Sequence, residues 1–122
     1  MIGHSLAGVL LNETKLFLPA QTAFKSMLIA IILANLADLD FVSGFFVGNP
    51  NRFHHGITHS LGATVLVGVL FALYFYIKEN RFLAPFAFSS LLYFSHVLFD
   101  FFSMDTSLPR GVPIFWPFTG EH

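Results

Sequence analysis

Two residues near the end of the chain, His96 and Asp100, stand four apart inside the apolar run HVLFDFF. On a helix that spacing puts both side chains on one face, within reach of a single ion. His55 and His59 repeat the spacing in RFHHGITHS, although Gly56 interrupts any continuous helix there. Asp38 and Asp40 are two apart in NLADLDF. Such a pair does not share a helix face, but at a fraying helix end one can ligate while the other orients a water or an imidazole. His4, His54 and Asp105 complete the set. Neutral imidazoles and carboxylates are donors suited to Zn, Mn or Fe, and four clustered Asp side chains repel one another unless a cation relieves them. With no Cys in the chain, disulfides and thiolate metal sites are excluded.

These residues gather only if the apolar segments between them are threaded alternately. The chain has 122 residues, of which 55% are hydrophobic and only 11% charged, and Phe occurs 17 times. Its mean hydropathy is +0.70. A soluble domain carries about 25% charged residues, so the composition is that of a bilayer protein. The net charge of −1 points to neither nucleic acid nor a strongly charged partner. Four apolar segments stand out: Ile2–Leu11, Ala23–Ala37, Leu61–Ile77 and Phe82–Phe102. A spanning helix needs roughly 20 apolar residues, with about 17 as a lower limit. The third and fourth segments meet this. The second reaches it by placing Gln21, Thr22 and Asp38 at its interfaces, and the first is a half-helix packed on the others. The expectation is an all-α polytopic membrane bundle of about four helices in a single domain, residues 1–122. Thr58 or Ser60 is positioned to cap the third helix. Trp116, in PIFWPF, reads as an interfacial aromatic anchor. The start lacks a basic region of the signal-peptide kind, so Met1 is expected to begin the mature protein.

Antiparallel threading puts Lys15, Lys25, Lys78 and Arg81 at one end, and Arg52 and Arg110 at the other. The positive-inside rule then places the first end in the cytoplasm. The same threading carries every Asp, and every His except His122, to the opposite, extracytoplasmic end. An isolated charge such as Asp100 at membrane depth costs roughly 2.5–3.5 kcal/mol, so it must be paired, wet or ligated. Taken singly, His4 reads as a packing residue, His54 as a loop residue and Asp105 as part of a turn; together they read as a metal site.

The stretches GHSLAGVLL, NLADLDF, RFHHGITHSLG and HVLFDFFSMDTSLPRGVPIFWPF cover 50 of the 122 residues. In this order they resemble the YdjM-like inner-membrane proteins, a bacterial family described as membrane-bound metal-dependent hydrolases. HHGITHS is similar to that family's HRGxTHS-like signature, with His55 in place of Arg. The chain stops soon after WPF, where members often continue, and so reads as a short member or a fragment. The order His, Asp, His, then HxxxD also looks like the zinc-dependent phospholipase C and single-strand nuclease superfamily. That resemblance implies His4, Asp38, His59, His96 and Asp100 as metal ligands. The chain has one HxxxD pair where that superfamily has a second His and His-x-x-x-Asp/Glu set, so one or two ions are expected in place of three.

The expected function is a membrane-bound metal-dependent hydrolase, with zinc the first choice of divalent metal and Mn or Fe as alternatives. Asp40 or His54 would accept a proton from water or hold it. A phospholipid head group or another phosphoester is the expected substrate. The alternatives are a non-enzymatic metal-binding membrane protein, a transporter or sensor, and a structural protein whose polar end is a partner interface. No GxSxG elbow, Walker loop or dinucleotide fingerprint is present.

Overall fold

The computed structural model describes residues 2–13, 23–49, 56–102 and 112–119. Helix α1 spans Ile2–Glu13 and α2 spans Ala23–Asn35; a 3-10 turn, Leu36–Leu39, leads into α3, Asp40–Phe46. Helices α4 and α5 span Leu61–Glu79 and Leu83–Phe102, and no strand occurs among the described residues. Because α2, the turn and α3 follow without interruption, they form one rod. Among the described residues, three rods are long and apolar enough to cross a membrane: Phe24–Phe46, Leu61–Glu79 and Leu83–Phe102. Helix α1, at 12 residues, is shorter than the roughly 20 residues that a bilayer needs and packs on α2 and α5. The expected bundle of about four helical rods is the one observed.

The second rod differs from its sequence reading. That segment was expected to end at Ala37 with Asp38 at the interface, yet the rod continues to Phe46. A tight 3-10 turn keeps the backbone hydrogen-bonded across the two acids, and the apolar residues beyond them, Val42, Phe45 and Phe46, are exposed. Asp38 and Asp40 therefore lie inside a continuous helical rod and not at the end of a helix.

Local chemistry explains the remaining boundaries. Ser60 caps α4, its Oγ accepting from Ala63 N at 3.1 Å. The first-turn amides of α4, which have no intrahelical partner, donate elsewhere: Leu61 N to Ile114 O at 2.9 Å and Gly62 N to Trp116 O at 3.0 Å. The segment that carries Trp116 thus closes the start of α4. The indole lies over Gly62, where a Cβ would come within 2.7 Å of a ring carbon. Asn80 ends α4 in the left-handed conformation, φ 53°. Pro85 falls in the first turn of α5, where its missing N–H leaves no hydrogen bond unmade.

Apolar packing joins the rods. Ala30, Leu33 and Ala34 of α2 meet Phe75 of α4 and Phe88 and Leu92 of α5, all buried. A second cluster, Ala37, Tyr93 and Val97, carries the packing to the level of the acids. Leu66, Leu70, Ile77 and Leu83 point outward, as expected where lipid is the solvent. Helix α1 is seated by a close approach: a Cβ on Gly8 would stand 2.9 Å from Ala30 O. Asn35 Nδ2 reinforces it by donating to Ser5 Oγ at 3.1 Å. This contact is adjacent in sequence to His4 and so fixes that residue over α5.

Candidate metal centre

Asp38 from the 3-10 turn, His59 from the turn before α4, and His96 and Asp100 from α5 each direct one donor atom into a common volume, all within 4.8 Å of one another. The shared location requires α2, α4 and α5 to alternate in direction, as the threading argument assumed. His96 Nε2 lies 3.0 Å from Asp100 Oδ2 and 3.3 Å from Asp38 Oδ1. His59 Nε2 lies 3.1 Å from Asp100 Oδ2, 3.8 Å from Asp38 Oδ1 and 3.3 Å from His96 Nε2.

The backbone decides which nitrogen faces the cluster. Where α2 tightens into the 3-10 turn, its last carbonyls are released from α-helical bonding. His96 Nδ1 sits 2.7 Å from Ala34 O. A carbonyl oxygen only accepts, so Nδ1 carries the proton and the Nε2 lone pair of the neutral ring faces the cluster. His59 is held from the same side of its ring. Its Nδ1 lies 3.3 Å from Asp40 Oδ2 and 3.1 Å from Thr58 Oγ1. Two Nε2 lone pairs aimed at each other at 3.3 Å repel unless a proton or a cation stands between them.

The donor set fits a cation. Four ligands at the 2.0–2.1 Å typical of zinc stand about 3.4 Å apart in a tetrahedron, and the five distances above run from 3.0 to 3.8 Å. Ligating His residues generally donate their other N–H to a carboxylate or a backbone carbonyl, and both rings do so here. The imidazoles are fully buried, whereas the side chains of Asp38 and Asp100 are 11% and 13% exposed. The carboxylates, and not the rings, form the partly exposed edge of the centre.

His59 is the ring most surrounded by acids. Burial alone would push its pKa down, but Asp100, Asp38 and Asp40 outweigh burial and raise it to about 10. Without a cation, a proton on His59 balances the carboxylates. His4 behaves oppositely: burial, and then His96 beside it, lower its pKa despite Asp100. The two rings stack with centroids 3.8 Å apart. His4 Nε2 lies 3.4 Å from Asp100 Oδ1, the carboxylate oxygen not used by His59 and His96, and its Nδ1 is buried without a hydrogen-bond partner.

The structure thus brings Asp38, His59, His96 and Asp100 into one cluster with His4 against its edge. Asp40 stands behind His59, on the ring side away from Nε2. His54, like His55 and Asp105, lies outside the described residues. Sequence reasoning missed two contributors. Thr58 was noticed only as a cap candidate, yet its Oγ1 donates to Asp40 Oδ2 at 2.8 Å. Tyr93, three residues before His96 and hence on its face, donates to Thr58 O at 2.8 Å; helical spacing would have flagged it.

Three apolar rods enclosing a carboxylate–imidazole cluster define an integral membrane protein of the helical class. Over residues 1–122 the chain matches the family described as YdjM inner membrane protein, and it belongs to that family. No curated protein and no solved structure matches it.

Proposed function

We propose that the protein is a metal-dependent hydrolase of the inner membrane that cleaves a phosphoester, such as that of a lipid head group, at the extracytoplasmic face. The observation that carries this reading is the convergence of two Nε2 atoms and two carboxylate oxygens within 4.8 Å, with both Nδ1 atoms engaged elsewhere. Asp38, His59, His96 and Asp100 hold the cation, zinc by preference for a mixed nitrogen and oxygen set, and His4 adds a nitrogen beside Asp100. The bound cation supplies Lewis acidity toward water and toward a phosphoryl oxygen.

The chain's own residues do the rest. Asp40 and the Ala34 carbonyl keep the protons of His59 and His96 on Nδ1, away from the centre. Burial of both rings excludes water from the imidazole side, so water and substrate enter past Asp38 and Asp100. The exposed carboxylate edges favour an open, reactive centre over a closed structural one. Lys25 and Lys78 lie in the end turns of α2 and α4 remote from the cluster, and Arg81 just before α5, which supports an extracytoplasmic site by the positive-inside rule. The order of His4, Asp38, His59 and the His96–Asp100 pair, similar to that of the zinc-dependent phospholipase C superfamily, supports phosphoester chemistry.

The test uses detergent-purified protein assayed with a phospholipid and a model phosphodiester, beside its His96→Ala and Asp100→Ala forms. Both variants are expected to lose metal and turnover together. Hydrolysis retained in either would refute the mechanism. Metal bound by the wild type with no phosphoester turned over would favour a transporter or sensor.

A further inference from the structure

The imidazole of His59 is not held by its own helix, because His59 precedes α4. It sits in a turn closed by His59 N to Gly56 O at 2.9 Å and by Ser60 Oγ to Ile57 O at 2.6 Å. A ligand on a short turn keeps its place only if other elements hold that turn. Two side chains do so. The Tyr93 hydroxyl, from a residue only 3% exposed, donates to the Thr58 carbonyl at 2.8 Å and ties the turn to α5 one helical turn before His96. The Thr58 hydroxyl donates to Asp40 Oδ2 at 2.8 Å, tying the same turn to α3.

The Thr58 hydroxyl has one proton, and Asp40 receives it. Its lone pairs are then left to accept from His59 Nδ1, 3.1 Å away. Nδ1–H thus faces two acceptors at once, Thr58 Oγ1 and Asp40 Oδ2 at 3.3 Å. Both require the proton on Nδ1 and leave Nε2 free to ligate. Tyr93 and His96 share a face of α5, so the Tyr93 bond also sets the spacing between the His59 and His96 rings.

We propose that Thr58 and Tyr93 are positioning residues of the metal centre: with Asp40 they fix the place, the rotation and the tautomer of His59. The inference rests on the metal reading above and adds residues that touch neither metal nor substrate.

The test is zinc affinity, by competition with a chromophoric chelator, for the full chain and its Thr58→Val, Thr58→Ser and Tyr93→Phe forms. Nitrogen-15 NMR of zinc-loaded, histidine-labelled protein reports the tautomer. Loss of a group that orients a metal-bound His costs about 10- to 100-fold in affinity; Thr58→Val and Tyr93→Phe are expected in that range. Thr58→Ser, which keeps the hydroxyl, is expected to stay within about threefold of wild type, well inside that cost. The wild type is expected to show a single His59 form with the proton on Nδ1, and Thr58→Val a mixture. A purely structural role would lower thermal stability without moving the tautomer. Wild-type zinc binding with Thr58→Val and Tyr93→Phe both near wild-type affinity overturns the inference while leaving the metal centre standing. A wild type that takes up no zinc overturns both.

Discussion

Acidification should weaken metal binding far more steeply than an ordinary histidine ligand allows. In the metal-free protein the His59 proton is retained up to about pH 10, because Asp100, Asp38 and Asp40 outweigh burial. A cation reaches Nε2 only by displacing that proton, so below this pH each unit of acidification costs a factor of ten. Through His59 alone, apparent affinity between about pH 8 and pH 6 should fall about 100-fold, or about 2.7 kcal/mol. A histidine titrating at its usual value near 6.5 would lose only about fourfold over the same range. The assay is chelator competition at several pH values, corrected for the chelator's own protons, with proton release followed by a dye in weak buffer. The His59→Ala form should bind weakly and lose this component of the slope. A wild-type change of about fourfold or less would refute the argument, since it would show that the three carboxylates do not hold a proton on that ring.

The same shift has a consequence for stability. A folded pKa raised above the unfolded one gives stability that is fully present below about 6.5 and is lost as pH rises through about 10. Metal-free protein should therefore melt at progressively lower temperature between about pH 6.5 and pH 10, and His59→Gln should show a flatter profile; parallel profiles would count against the ion pairs. Gly8→Ala should destabilise the bundle by about 1–3 kcal/mol, because its Cβ meets the Ala30 carbonyl oxygen at 2.9 Å. Gly3→Ala, with nothing within 4 Å, should be near neutral. Equal melting temperatures for the two variants would show that α1 is not seated by that approach.

Apolar runs between punctuating Gly and Pro residues were enough to place the helices, since in lipid a chain must satisfy its backbone within each segment. The end of the second rod was not legible. Asp38 and Asp40 look like a polar terminus, and only the 3-10 turn shows how the helix passes through them. That turn also changes the meaning of their spacing. Residues two apart diverge by about 160° in an α-helix but by about 120° in a 3-10 turn. The two acids can therefore flank one ring, Asp38 toward His59 Nε2 and Asp40 toward Nδ1.

The His96–Asp100 pair was legible because i,i+4 spacing is a property of one helix, and its meeting with Asp38 and His59 followed from alternate threading. The sequence by itself determined that these groups share one end of the bundle, because a few long apolar segments threaded alternately carry them there. Only the tertiary structure decided which atoms face the centre and which stand behind it. That depends on partners remote in the chain: Ala34 O for His96, Asp40 and Thr58 for His59, and Tyr93 for the turn between them. Hydrogen bonds across helices are set by rotation and depth of packing, which residue type and spacing do not encode.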